Sequence, residues 1–435
     1  MTSTLLPTFS IPRLNFPTVR QLTNGLTIVA EQIPVEAVNL SLWIDVGSAV
    51  ETHNINGMAH FLEHMVFKGT EKLLAGEFER QIEERGAVTN AATSQDYTHY
   101  YITTAPKDFA DLAPLQIDVV LNPSIPDAAF DRERLVVLEE IRRAEDNPRR
   151  RTYQKSVEMA FEVLPYRRPI LGPAAVVENL TPQQMRDFHA QWYQPSSITA
   201  VAVGNLPVDE LIDIVADGFY RGNHLGLAPN SAPTGGMVSP LAKESAFTEI
   251  VREELVDDSL QQARLVMVWR VPGLVDIDET YALDVLSAIL GRGRTSRLVQ
   301  DLRETQGLVS SISASNMTYR QQGIFYISAT LPSENVDRVE AIVLEHLRSF
   351  HQSLVTEAEI ARVRTQVANR FIFGNETPSD RANLYGYYQS MLTDLAPALN
   401  YPDRIQAIHA PDIQLAAQKY LPDNAYGILI VRPKA

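Results

Sequence analysis

The chain of 435 residues contains no cysteine. That absence removes disulfide frameworks, thiol catalysis and cysteine-ligated zinc or iron–sulfur sites together, so any metal must sit on histidine and carboxylate side chains. Long hydrophobic runs are missing too. Apolar pieces such as Leu265 to Trp269 and Gly427 to Val431 fall far short of the roughly 18 to 20 residues that a membrane helix needs, and no membrane partner is expected. Basic charge is scarce: 38 Lys and Arg stand against 53 Asp and Glu, a formal net charge of −15. Phosphate binding needs a basic field, so no nucleic acid or anionic lipid surface is expected as main partner, whereas a peptide is compatible.

Apolar residues are plentiful, at 45% of a length sufficient for two or more globular cores. The first 32 residues hold Arg13 and Arg20 and no acid before Glu31, a faint likeness to a transit peptide. Pro7, Pro12 and Pro17 break any amphipathic helix there, so an extended arm is expected in place of a removable leader, and the cytoplasm as compartment. Near the middle, Pro229 to Pro240 concentrates Pro, Gly and Ser and reads as a linker. The expected division is a first domain at 1–229, the linker at 230–240 and a second domain at 241–435. The halves look alike: Val38 to Val46 ends in Gly47 four residues after Trp43, and Ala263 to Val271 leads to Gly273 four residues after Trp269. Strand candidates at Leu26 to Glu31, Leu40 to Val46, Tyr97 to Thr104, Ile198 to Gly204 and Gly323 to Leu331 alternate with long helical patterns. The expected class is α+β, two tandem homologous domains, each a mainly antiparallel sheet packed with helices.

The segment Gly57 to Lys68 reads G-M-A-H-F-L-E-H-M-V-F-K. On a helix with His60 at zero, Glu63 falls at about 300° and His64 at about 40°, so the three share one arc. Met58, Phe61, Leu62, Met65, Val66 and Phe67 fill the rest, which predicts a buried helix. Burying two imidazoles and a carboxylate without partners costs several kcal/mol, on the order of 2 to 7 for each polar group, and a bound metal resolves the conflict. Two His at i and i+4 can direct nitrogens at one zinc, and the Glu before the second can reach a water there. Composition gives only about 0.02 chance matches to this pattern in the chain, so accident is a poor explanation. A catalytic zinc needs a third protein ligand. A helix expected over Asp127 to Asn147 places Glu139 towards solvent, while Glu133 and Glu140 stack on one flank two turns apart. Geometry leaves both as candidates.

His60-Phe-Leu-Glu63-His64 is the inverted zincin order H-x-x-E-H. With Arg134 to Ile141, Thr89 to Asp96, Gly291 to Ile312, the tandem halves and the linker, it resembles the pitrilysin and mitochondrial processing peptidase family over nearly the whole chain. The resemblance implies a zinc endopeptidase with a closed chamber, with His60, His64 and Glu140 on Zn2+, Glu63 as general base and Glu133 as the acidic residue behind the ligands. The segment Ala87 to Thr104 reads as an extended strand, and the resemblance implies that its edge near Asn90 and Ala91 pairs with a peptide substrate by main-chain hydrogen bonds.

The second half departs from the first. Aligning Trp43 with Trp269 carries positions 60, 63 and 64 onto Leu286, Ile289 and Leu290, which cannot bind zinc. Many relatives there supply an Arg and a Tyr seven residues apart that hold the substrate backbone; this chain has Arg303 but Ser310. The resemblance then implies the zinc subunit of a two-chain enzyme, paired with a homologous non-catalytic subunit as a heterodimer, with a homodimer as the other arrangement. A non-catalytic assembly subunit, like respiratory-complex core proteins, is the alternative. Gly291 to Ser296 lacks phosphate-loop spacing, and Arg149-Arg150-Arg151 reads as a solvated helix edge able to meet acidic partners.

Overall fold

A computed structural model of the chain describes residues 13–221 and 242–434. The linker expected at 230–240, the domain limits at 229 and 241, and most of the N-terminal arm lie outside the described residues.

Two domains each form around one mixed sheet. The first contains β1 (Thr18–Gln21), β2 (Thr27–Gln32), β3 (Val38–Ile44), β4 (Val88–Thr93), β5 (Thr98–Thr104) and β6 (Ile198–Gly204), in the order β1-β2-β6-β3-β5-β4. The second contains β7 (Val251–Val256), β8 (Ala263–Pro272), β9 (Ser311–Met317), β10 (Gln322–Leu331) and β11 (Gly427–Arg432), in the order β7-β11-β8-β10-β9. Each sheet has one parallel pair, β2 with β6 and β11 with β7, and antiparallel pairs elsewhere. Setting β2 to β6 on β7 to β11 makes the two orders correspond strand for strand, with β4 and β9 as the matching edges.

Ala87 to Thr104 is a hairpin, not a single extended strand: β4 and β5 pair from Val88↔Thr103 to Thr93↔Thr98 around a turn closed by Ser94 N–H on the Tyr97 carbonyl. Ser94 and Asp96 are the turn-forming residues there.

Helices include α1 (Met58–Met65), α2 (Glu77–Glu84), α3 (Phe109–Leu121), α4 (Asp127–Asp146), α5 (Pro148–Ala160), α6 (Ile277–Gly291) and α7 (Pro378–Leu392). The side chains of β3 alternate as its period of two dictates. Val38, Leu40, Leu42 and Ile44 join α1 to α4 in the first core, and Trp43 faces the other way. That opposite face is covered by a helix of the other domain, because α7 lays Ala382 and Tyr385 on Val29, Trp43, Val201 and Val203. Reciprocally, α5 lays Val157 and Ala160 on Val266, Val268, Leu429 and Val431 of the second sheet. Central strands buried on both faces explain the near-continuous apolar runs in the sequence. Contact between α7 and Trp43 needs a glycine: a Cβ on Gly386 would sit 1.9 Å from the indole nitrogen. Polar joints also cross between domains, among them Tyr385 donating to the buried Glu31 at 2.8 Å and Arg320 pairing with Asp45. No helix among the described residues is long and apolar enough to cross a membrane.

Candidate metal centre

The start of α1 is fixed by two residues that precede it. Gly57 adopts φ +100°, where an added Cβ would lie 2.6 Å from the Leu171 carbonyl oxygen. Glu51, only 2% exposed, accepts from Gly57 N–H at 2.9 Å and Ala59 N–H at 2.7 Å. Its carboxylate thereby satisfies orphan N–H groups at the helix start that no side chain of the cap residue reaches. Burial pushes the Glu51 carboxyl up to about 7 despite those bonds. Met58, Phe61, Leu62 and Met65 are buried, and the Phe61 ring stacks on Phe130 of α4 at 4.4 Å. That contact sets α4 beside α1.

With the two helices so placed, His60 Nε2 lies 3.5 Å and His64 Nε2 lies 3.6 Å from the same oxygen, Glu140 Oε2. One ligand atom from each of His60, His64 and Glu140 lies within 4.8 Å of the others, and this is the one such cluster among the described residues. Zinc bonds of roughly 2.0 to 2.2 Å at tetrahedral angles separate neighbouring ligand atoms by about 3.3 to 3.6 Å. The two spacings to Glu140 match that edge, and two imidazoles with one carboxylate are a donor set suited to zinc. The residues present fit the metal.

Glu133, one of the two carboxylates that periodicity could not separate, is the partner of the other imidazole nitrogen: Glu133 Oε1 lies 3.0 Å from His64 Nδ1. Its second oxygen meets Lys68 Nζ at 2.7 Å. Burial raises the Glu133 carboxyl, but the Lys68 ammonium and His64 outweigh it and leave the group below its ordinary range. Glu139 faces outward and pairs with Arg142 and Arg143. Glu63 accepts a hydrogen bond on Oε2 from the Thr93 hydroxyl at the end of β4. Behind them, the buried Tyr100 and Tyr193 hydroxyls share a 2.8 Å bond. Burial pushes both phenols up, joined for Tyr100 by the Tyr193 hydroxyl and then Glu63, and for Tyr193 by Glu63.

Asn90 and Ala91 lie on the edge strand β4, Asn90 exposed and Ala91 half-buried, and the Ala91 N–H donates to Asn90 Oδ1 at 2.9 Å. Arg303 is in the second domain, paired with its neighbour Glu304 at 2.6 Å. It shares no hydrogen bond or ion pair with the metal-centre residues among those described. Ser310 Oγ bonds Gln262 and the Thr330 carbonyl. Leu286, Ile289 and Leu290 are fully buried on α6, with no donor atoms. Glu51 and Thr93 have no spacing signal to single them out, since Thr93 acts across 30 residues of chain and Glu51 across an irregular approach of eight.

The fold is a pair of α+β domains, each on one mixed sheet, with a His-His-Glu cluster shared by two neighbouring helices of the first. Residues 27–174 match the sequence family described as insulinase (peptidase family M16), and residues 179–367 match the peptidase M16 inactive domain. The chain is 30% identical over 412 residues to an uncharacterized zinc protease of Streptomyces coelicolor, covering 93% of this chain and 87% of that one. It is 27% identical to a probable mitochondrial-processing peptidase subunit beta of Arabidopsis thaliana, over 95% of this chain and 78% of that one. A protease from Helicobacter pylori of solved structure superposes with a TM-score of 0.89 at 25% identity, over 96% of this chain and 99% of that one. The chain belongs to the pitrilysin family of M16 peptidases.

Proposed function

We propose that the chain is a zinc-dependent endopeptidase acting on peptides or unfolded segments, with His60, His64 and Glu140 as ligands and Glu63 as general base. The observation that carries this reading is three donor atoms within 4.8 Å of one another, with Glu63 on the helix that supplies two of them. When bound, zinc supplies Lewis-acid polarisation of a peptide carbonyl and makes water more acidic. The chain's own groups do the rest. Glu133 accepts from His64 Nδ1–H, which keeps the Nε2 lone pair turned towards Glu140. The Thr93 hydroxyl occupies Glu63 Oε2 and leaves Oε1 to take a proton from the attacking water and return it to the leaving amine. An extended peptide adds to the free edge of β4 near Asn90 and Ala91, exchanging the Ala91–Asn90 bond for main-chain bonds largely indifferent to sequence.

The catalytic domain is 1–229 and the metal-free one 241–435, joined at 230–240, with the cytoplasm as compartment. Ser310 in place of a tyrosine supports assignment as the catalytic subunit of a two-chain enzyme, and the name of the Arabidopsis relative, a subunit, is in keeping with it. The second reading, a non-catalytic assembly subunit, draws on the likeness to a chain of complex III2 from Candida albicans. That chain shares the fold at a TM-score of 0.77 and 18% identity. The complete donor set favours the enzyme. Glu63→Gln is expected to keep its zinc and to lose peptide cleavage by roughly 100-fold to 10000-fold; full turnover in that variant refutes the role. Assay of the chain alone and mixed with its homologous partner settles the pairing, and full activity alone refutes it.

A further inference from the structure

A polar cavity of about 370 Å³ lies between the first turn of α5 and strands β8, β9 and β10 of the second sheet. None of its residues belongs to the metal centre. Arg149 enters from α5 and Arg264 from β8, while Ser311 and Ser313 on β9 and Ser328 and Thr330 on β10 supply hydroxyls. The strand register aligns these groups. Arg264, Thr330 and Ser311 form one cross-strand row, and Ser328 and Ser313 lie opposite each other in the next, with hydroxyl oxygens 3.3 Å apart. Residues two apart on a strand share a face, so both rows present to the same side.

The chain carries an excess of acids, yet neither guanidinium forms an ion pair among the described residues. Arg264 Nε is buried with no hydrogen-bond partner. The Asp257 carboxylate nearby is taken by Arg151. Burial, and then the like charge of Arg149, lower the pKa of Arg264. Two cations side by side, one with an unsatisfied donor, are unfavourable unless an anion sits between them. A guanidinium offers only donors, and hydroxyls can add more, so the complementary ligand is an oxyanion.

We propose that this cavity is an oxyanion-binding site, which holds a carboxylate or a phosphate between Arg149 and Arg264 with the serine and threonine hydroxyls as further donors. The net charge of −15 makes such a local basic pocket selective for small anions over polyanionic surfaces. Because β9 is a sheet edge, the terminal carboxylate of a peptide and free inorganic phosphate can both reach it.

Isothermal titration of the full chain with inorganic phosphate, and with one hexapeptide prepared as the free acid and as the C-terminal amide, tests this. The same titrations are run on Arg149→Gln, Arg264→Gln and the control Arg80→Gln, an exposed arginine of α2 paired with Glu84. Phosphate or the free-acid peptide is expected to bind, at least tenfold more weakly in each of Arg149→Gln and Arg264→Gln and within twofold of wild type in Arg80→Gln. Binding of phosphate identifies the free ion as a source, and preference for free acid over amide identifies a peptide terminus. No binding of either probe, binding unchanged in Arg149→Gln and Arg264→Gln, or binding equally weakened in Arg80→Gln overturns the proposal. Arg149 is exposed, so its variant retains the fold and decides the matter should Arg264→Gln not fold.

Discussion

Glu133→Ala removes a carboxylate whose side chain is 14% exposed and which holds two partners, His64 Nδ1 at 3.0 Å and Lys68 Nζ at 2.7 Å. Without it the His64 ring loses the acceptor that fixes both its orientation and its tautomer. Loss of such outer partners typically lowers metal affinity 10-fold to 100-fold, about 1.4 to 2.7 kcal/mol. Zinc affinity measured by competition with a chromophoric chelator is therefore expected to fall by that factor, with the far-ultraviolet circular dichroism of the variant unchanged. Lys68→Met is the control. It removes the other partner of Glu133 and leaves the His64 bond, so zinc affinity should stay within threefold. Were Glu133 only a partly exposed anchor for Lys68, the pair would contribute about 0 to 1 kcal/mol to folding and nothing to the metal. Affinity within twofold of wild type in Glu133→Ala refutes the reasoning.

Three further outcomes are expected. Thr93→Val deletes the hydroxyl that holds Glu63 Oε2; loss of about 0.5 to 1.5 kcal/mol should slow peptide cleavage roughly 3-fold to 10-fold with zinc content unchanged, as read by steady-state kinetics and metal analysis. Asp284, bonded to Asn316 at 2.9 Å and Tyr401 at 3.0 Å, has its carboxyl pushed up to about 6 by burial against the pull of those bonds. The folded state thus binds its proton more tightly than the unfolded chain, and stability from this group, full below about pH 4, is lost as pH rises through about 6. Asp284→Asn should accordingly gain roughly 1 to 3 kcal/mol relative to wild type between pH 4 and pH 8 in urea titrations, and parallel pH profiles for the two proteins refute the assignment. Gly386→Ala forces a methyl group against the Trp43 indole; overpacking of about 1 to 3 kcal/mol should lower the thermal midpoint, and an unchanged midpoint would show that α7 does not seat there.

The clustering of His60 and His64 was legible because local periodicity sets it: a helix apolar around most of its circumference leaves few places for His60, Glu63 and His64. Periodicity also put Glu133 and Glu140 on one flank of α4, and the structure uses both, two turns apart, one for each kind of imidazole nitrogen. Which carboxylate meets which nitrogen depends on the Phe61–Phe130 contact, a tertiary fact with no spacing signature. The same holds for Thr93 and Glu51, which reach α1 from 30 and 8 residues away. The exchange of α5 and α7 between the two sheets was likewise invisible, because a helix pattern shows that a face is apolar and not which sheet it covers. The hairpin at 94–97 was missed where β-rich residues on both sides masked a four-residue turn.

The most direct test of the central claim is anomalous diffraction at the zinc edge from crystals of the zinc-loaded chain. One peak is expected about 2.0 to 2.2 Å from His60 Nε2, His64 Nε2 and a Glu140 carboxylate oxygen, with one coordination position left to solvent. No peak there, or a peak elsewhere with the three side chains turned apart, contradicts it.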